Sequence, residues 1–103
     1  MIRVSVMYPN DPEKKFDMDY YINKHIPLVH EKLDPIGLVK TEVEKGLTGQ
    51  GEETDPPYCA IGCLFFNTMD DFQKMLAYND ELMSDIPNFT DIIPAIQISD
   101  IIS

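Results

Sequence analysis

The fold of this chain is decided by the stretch Tyr58–Phe66, YCAIGCLFF, an apolar run that opens the second half of the sequence. A run of this length, preceded by Pro56-Pro57 and followed by Asn67-Thr68, is typical of a buried β-strand. Polar and apolar residues do not alternate in it, so we expect both faces of this strand to be packed against other parts of the protein. A sheet that carried helices on one face only would leave the other face of this strand apolar.

Outward from this strand, the chain consists of two similar halves. Residues 2–8 alternate in the manner of a strand, Ile36–Leu47 predicts a second strand, and Ala95–Ile102 predicts the last one. A helix is predicted between the strands of each half, which gives the order β-α-β-β-α-β. We therefore predict an α+β class, ferredoxin-like βαββαβ domain over residues 1–103, with an antiparallel sheet and both helices on one face.

The two helices are predicted from capping residues and apolar spacing. Asp17 is placed to cap the first helix, and Asn67 or Thr68 to cap a second helix from about Met69 to Ser84. Apolar residues follow at offsets of three or four in both helices. The predicted buried stripes are Met18, Ile22, Ile26, Val29 and Leu33 in the first helix and Phe72, Met75, Leu76, Asn79 and Met83 in the second.

The predicted last strand, like strand 58–66, has apolar residues on both sides. It offers Ile96, Ile98 and Ile102 on one side and Ala95 and Ile101 on the other. A second copy of the chain is the simplest cover for an apolar sheet face, so the pattern predicts a homodimer that uses the face away from the helices. The alternative is that strand 58–66 is central and tolerates partial exposure.

Composition excludes several classes of function. The 8 Lys and Arg against 18 Asp and Glu give a net charge of −10, which disfavours nucleic-acid and membrane-surface partners. No stretch approaches the ~20 apolar residues of a membrane span, and the interrupted N-terminal segment does not resemble a signal peptide. Cys59 and Cys63 would lie about 13 Å apart along a strand, against ~5.5 Å in a disulfide. We expect reduced cysteines and a cytoplasmic protein.

The chemistry-bearing candidates lie on the first helix. With Ile22 at the centre of the buried stripe, His25 falls about 60° to one side, beside Tyr21, and His30 about 80° to the other side, facing solvent. Pro27 removes a helical hydrogen bond and frees the carbonyl of Asn23. His25 and Tyr21 could form an acid–base pair for a small substrate. The alternative is a half-buried histidine with a structural role.

Other constellations give weaker signals. Tyr8 closes the first strand, where it either points into a pocket at the sheet end or packs. Gly46, Gly49 and Gly51 lack the Lys-Ser/Thr and the helix of a phosphate loop. The spacing of the carboxylates is typical of helix caps and solvated faces, so no metal site and no cofactor are predicted. These carboxylates are Asp17, Asp19, Asp70, Asp71, Asp80, Glu81 and Asp85.

Two segments resemble the EthD-like family of the dimeric α/β-barrel superfamily. The first contains Met7-Tyr8-Pro9 and Phe16–Val29, with the core Tyr-Tyr-x-x-x-His-x-Pro, and the second contains Asp85–Asp91 and Ile96–Ser99. The resemblance extends over essentially the whole chain. It implies a ferredoxin-like protomer whose sheet packs against a partner's sheet, with a small cavity between helices and sheet.

The resemblance also implies a function. The superfamily includes cofactor-free oxygenases, isomerases, cyclases and dehydratases, so one hypothesis is acid–base chemistry on a small apolar or aromatic metabolite. The other is a non-catalytic small-molecule binding or auxiliary protein. The candidate catalytic residues are His25 and Tyr21, and the candidate pocket residues are Tyr8, Tyr20 and Phe89. In addition to these, the family motif points to Asp17 and Pro27.

Overall fold

Four antiparallel strands form one sheet in the computed structural model, which describes residues 1–51 and 53–103. The strand order is β2-β3-β1-β4, so β3 and β1 are central. This arrangement confirms the predicted α+β, ferredoxin-like βαββαβ fold. The strands are β1 (Ile2–Pro9), β2 (Leu38–Lys45), β3 (Tyr58–Phe66) and β4 (Ala95–Asp100).

Two helical segments cross one face of the sheet, and neither is a continuous α-helix. The first contains α1 (Met18–Tyr20), a π-helical turn (Tyr21–His25), α2 (Ile26–Leu33) and a 3-10 turn (Asp34–Ile36). The second contains α3 (Met69–Met75), a 3-10 turn (Leu76–Tyr78), α4 (Asn79–Asp85) and a further 3-10 turn (Ile86–Asn88). The predicted caps are confirmed, since Asp17 accepts from the amide of Tyr20 and Thr68 from the amide of Asp71.

The buried stripe of the first segment differs from the prediction. Ile22, the predicted centre, is 43% exposed, whereas Tyr21, His25, Val29 and Leu33 are buried. The cause is the π-helical turn, which holds more residues per turn than an α-helix and so rotates the residues around it. The prediction of Ile22 as a core residue is therefore wrong.

The second segment also changes its buried face along its length. Its 3-10 turn is wound more tightly than an α-helix, which rotates the residues that follow. Leu82 and Ile86 are buried as a result, whereas Leu76 and Met83 of the predicted stripe are 57% and 39% exposed.

The two faces of the sheet have different compositions. Towards the helices, Val4 of β1 and Leu64 and Phe66 of β3 pack with Leu33 of α2 in the core. On the other face, β3 carries apolar residues as predicted, but β4 carries Gln97 and Ser99, so the prediction of an apolar last strand on both sides is wrong. The edge strand β2 contributes Lys40, Glu42 and Glu44 to this face.

The connection from β2 to β3 contains no helix or strand in its described residues 46–51 and 53–57, as its glycines and prolines predict. Glu52, within this connection, lies outside the described residues. None of the helices in the described parts of the chain is both long and apolar enough to cross a membrane.

Candidate functional site

A cavity of about 130 Å³ lies between the helical segments and the sheet. Its walls come from β1, β3 and β4 on the sheet side and from both helical segments on the other. Four lining residues carry hydrogen-bonding side chains, namely Tyr8, Tyr21, His25 and Asn79, and the others are aliphatic, methionine or phenylalanine. No Lys, Arg, Asp or Glu among the described residues lines it. The cavity therefore suits a small and mainly apolar molecule.

The π-helical turn positions the histidine of this cavity. The amide of Ile26 donates to the carbonyl of Tyr21, five residues earlier, just before Pro27, which has no amide hydrogen to donate. Residues four apart in an α-helix differ by about 40° in direction, and a wider turn reduces this angle. The rings of Tyr21 and His25 accordingly stack with centroids 5.6 Å apart and an angle of 18° between their planes.

A glycine in the sheet accommodates the ring of Tyr21. The Tyr21 hydroxyl lies where a Cβ atom of Gly62 would be, on the central strand β3. Only glycine allows this close approach of the ring to the strand. The position of Tyr21, and through ring stacking that of His25, therefore depends on a residue without a side chain.

The partner of His25 comes from the far end of the chain. Its Nδ1 lies 2.9 Å from Oδ2 of Asp85 at the end of α4. The other carboxylate oxygen, Oδ1, accepts from the Tyr20 hydroxyl at 2.8 Å and from Nδ2 of Asn88 at 3.0 Å. Asp85 is therefore held by three side-chain donors, and its side chain is 14% exposed.

Backbone contacts bring the two ends of the site together. The amide of Asp17 donates to the carbonyl of Phe89 at 2.8 Å, and the Thr90 hydroxyl donates to the carbonyl of Lys15 at 2.6 Å. The start of the first helical segment is thus tied to the end of the second. This connection places Asp85 against His25 although 60 residues separate them.

Burial and hydrogen bonding determine the protonation states of His25 and Asp85. Burial lowers the pKa of His25 below its ordinary value, and the hydrogen bond and negative charge of Asp85 offset this only in part. For Asp85, burial raises the pKa, but the hydrogen bonds from Asn88, His25 and Tyr20 outweigh it, so the pKa lies below its ordinary value. Near neutral pH the pair is thus a neutral imidazole beside an ionised carboxylate.

This charge state fixes the tautomer of His25. An ionised carboxylate can only accept, so Nδ1 carries the proton and donates it to Asp85, which leaves the lone pair on Nε2. Among the described residues nothing hydrogen-bonds to Nε2, and His25 lines the cavity. The result is a buried, oriented base at the cavity wall.

The tyrosines are weaker participants in proton transfer. Burial raises the pKa of Tyr8 and of Tyr21 well above the ordinary value, so both remain protonated near neutral pH. They line the cavity and can donate hydrogen bonds, but His25 is the lining group that can exchange a proton near neutrality.

The structure brings the other predicted pocket residues close to His25 but not to the cavity surface. Phe89 packs on the His25 ring with centroids 4.8 Å apart, and Tyr20 reaches His25 only through Asp85. His30, predicted to face solvent, is half-buried, with its Nδ1 2.8 Å from Asp34 and its Nε2 2.9 Å from the Thr41 hydroxyl.

Sequence reasoning misses the residue that orients His25. The spacing of the carboxylates groups Asp85 with helix caps and solvated faces, and this interpretation is wrong because its side chain is largely buried against His25. The available signal is the segment Asp85–Phe89, in which an aspartate, an asparagine and an aromatic residue share a short irregular stretch. Across residues 1–51 and 53–103, no three His, Cys, Asp or Glu side chains lie close enough to hold a metal ion.

The fold and cavity define a class of small ferredoxin-like α+β domains with a ligand-sized site between helices and sheet. The family described as EthD domain matches residues 12–93, and this chain belongs to that family. The predicted resemblance is thereby confirmed. The comparison with curated proteins gives no match.

Solved structures agree with this assignment. An EthD-like protein from Ralstonia eutropha JMP134 is 34% identical, with 99% of this chain and 92% of that one covered and a TM-score of 0.92. An ethyl tert-butyl ether D (EthD) family protein from Bacillus halodurans C-125 is 16% identical, with 99% of both chains covered and a TM-score of 0.67. A dimeric ferredoxin-like protein from an uncultured marine organism is 10% identical, with coverage of 99% and 94% and a TM-score of 0.62. The last two show the shared fold.

Proposed function

We propose that this protein is a cofactor-free enzyme that performs acid–base chemistry on a small apolar or aromatic metabolite, with His25 as the base. The observations that carry the proposal are that His25 lines an apolar cavity, that its Nδ1 is bonded to Asp85, and that its Nε2 has no partner among the described residues. A histidine oriented by a carboxylate on its far side is the arrangement by which catalytic triads position their general base.

The volume of the cavity is a guide to the size of the substrate, although its wall is open to solvent where Leu76 and Met83 are exposed. An apolar cavity of about 150 Å³ in another protein holds benzene, and the cavity here measures about 130 Å³. A single ring or a short branched chain fits this volume. Tyr8 and Tyr21, which stay protonated, orient the substrate by donating to an oxygen atom on it.

The proposed step is a proton transfer. Nε2 takes a proton from a C–H or O–H group of the substrate, and the ionised carboxylate of Asp85 stabilises the imidazolium that forms. The same nitrogen returns the proton to a different atom of the substrate, so an isomerisation involves no net gain or loss. Cyclase and dehydratase reactions use the same transfer, whereas an oxygenase would also take dioxygen as a second substrate.

The alternative is a non-catalytic binding or auxiliary protein. The observation in its favour is that His25 is the one lining residue of the described chain that can change its charge near neutral pH. A single such group suffices for binding, whereas many acid–base reactions use a separate acid and base.

Deuterium exchange of a one-ring ketone separates the two functions. Cyclohexanone in D₂O is incubated with the protein, and loss of its α-proton signal is followed by NMR. We expect exchange faster than with the same concentration of imidazole, lost in His25→Ala and retained in His30→Ala, whose side chain lies outside the cavity. Binding of cyclohexanone without faster exchange would favour the non-catalytic alternative, and absence of both would exclude this cavity as a site for ring-sized ketones.

The sheet face away from the helices supports a homodimer. Ile61, Cys63 and Phe65 form an apolar centre on it, with the polar residues of β2 and β4 at its edges, which is the usual arrangement of a protein interface. On the same face, Nε of Arg3 is buried with no hydrogen-bond partner among residues 1–51 and 53–103. Cys63 and Phe65 are already buried within the single chain, so a second copy packed on this face would cover chiefly Ile61, which is only partly buried, and would offer acceptors to Arg3.

Sedimentation equilibrium at micromolar concentration tests the dimer. We expect twice the chain mass for the native protein and a monomer for Ile61→Lys, because a charge would be placed at the centre of the interface. Ile93→Lys is the matched control, since Ile93 is 81% exposed and lies outside the sheet. A native protein that sediments as a monomer would contradict the proposal.

A further inference from the structure

We infer that the cavity selects neutral ligands that carry a hydrogen-bond donor, of the class of a phenol or a small cyclic alcohol, and rejects carboxylates. The inference rests on the proposed function, because it assumes that the ligand lies against His25. It adds the chemical class that this wall recognises.

The Nε2 atom of His25 can only accept a hydrogen bond, which favours a ligand that carries a donor. Asp85 accepts from Nδ1, Tyr20 and Asn88, and it is not among the residues that line the cavity. The imidazole therefore presents an acceptor to the cavity and not a donor. A ligand hydroxyl satisfies this acceptor, whereas a ketone can place only a C–H group there and has to direct its oxygen to a tyrosine hydroxyl of the lining.

The cavity wall has no positive charge that would compensate an anion. The described lining contains no Lys or Arg, and the residue bonded to the Nδ1 of His25 is a carboxylate, that of Asp85. A buried anion without a cation is strongly destabilised. The net charge of −10 on the chain opposes the approach of an anion as well.

The small number of polar groups on the wall limits the polarity of the ligand. Besides His25, only Tyr8, Tyr21 and Asn79 offer hydrogen bonds in the described lining. A ligand with one hydroxyl can be satisfied there, but each additional polar group would risk burial without a partner, which costs binding affinity. We therefore expect a single polar group on an otherwise apolar body.

Three one-ring probes test the inference by titration calorimetry or NMR at pH 8: phenol as a neutral donor, toluene as its apolar counterpart and benzoate as the anion. For the native protein we expect phenol to bind at least ten-fold more tightly than benzoate. In His25→Leu, which removes the acceptor, the ratio of the toluene Kd to the phenol Kd should fall at least ten-fold, because the phenol hydroxyl is then buried without a partner. His30→Leu should leave the ratio unchanged.

The outcomes distinguish the inference from the proposed function. If phenol and toluene both bind and the ratio is the same in His25→Leu, or if benzoate binds as tightly as phenol, the inference is overturned and the ligand site remains. If neither phenol nor toluene binds, the cavity takes no one-ring ligand, and the proposed function fails together with the inference. Should His25→Leu not fold, the ¹⁵N shift of Nε2 in the native protein decides, since phenol should move it and toluene should not.

Discussion

The two histidines of the first helical segment differ in only one hydrogen bond and in their surroundings. In both, Nδ1 is bonded to an aspartate, at 2.9 Å for His25 and 2.8 Å for His30. The Nε2 of His30 is bonded to the Thr41 hydroxyl, whereas that of His25 has no partner in the described residues. The side chain of His25 is 8% exposed and that of His30 is 36% exposed. An Asp–His pair alone therefore does not distinguish the two histidines, whereas the free second nitrogen and the adjoining apolar cavity do.

The two aspartates also differ in origin. Asp34 lies four residues after His30, so helix geometry alone brings the pair together. Asp85 belongs to the other helical segment, and tertiary contacts have to hold it in place. The local pair is a solvent-exposed side-chain contact, which has a small energetic effect. The distant pair is part of a partly buried network, whose members depend on one another.

The largest expected difference between the two pairs is in stability. Asp85→Ala leaves His25, Tyr20 and Asn88 without their shared acceptor, and the buried Nδ1 cannot turn to water, so we expect the free energy of unfolding to fall by about 1–3 kcal/mol. Asp34→Ala removes an exposed pair and should cost about 0–1 kcal/mol. Urea denaturation of both variants measures the difference. Equal losses would mean that the two pairs are equivalent.

The sequence predicts the sheet better than it predicts the site. Strand alternation and the two caps are local signals, and the confirmed strand Tyr58–Phe66 needs nothing beyond them. The π-helical turn moves Ile22 out of the core and Tyr21 into it, which no regular 3.6-residue period can anticipate. Asp85 escapes sequence reasoning because a contact between residues 60 positions apart leaves no periodicity in the sequence. The roles of His25, Tyr21, Tyr8, Tyr20 and Phe89 in ligand binding remain predictions.

The second prediction concerns the pH dependence of stability. The pKa of His25 is lowered in the folded protein by burial, so the unfolded chain takes up a proton first as the pH falls below about 6.5. The stability that neutral His25 contributes is complete above this value and is lost as the pH falls through the lower, folded pKa. Asp85, whose folded pKa is also lowered, adds a further loss below about pH 4.

Urea unfolding of the native protein and of His25→Phe between pH 7.5 and 4.5 measures this effect. We expect the native protein to lose stability relative to the variant as the pH falls, because phenylalanine cannot be protonated. His30→Phe serves as the control for the second histidine. If the native protein instead gains stability relative to His25→Phe from pH 7 to pH 5, the charge of Asp85 outweighs burial and the pKa of His25 is raised, not lowered.

The smallest expected effect comes from Thr41→Val, which converts His30 into a closer analogue of His25. Valine has the shape of threonine without the hydroxyl, so the variant frees the Nε2 of His30 and leaves its bond to Asp34 in place. We expect a loss of about 0–1 kcal/mol, since the freed nitrogen of a half-buried side chain can bond to water. The variant should show native cyclohexanone exchange and native phenol binding, because a free nitrogen beside solvent lacks the apolar cavity. A gain of exchange activity in Thr41→Val that disappears in the double variant with His30→Ala would show that the free nitrogen alone is sufficient, and that the cavity contributes nothing to the chemistry of His25.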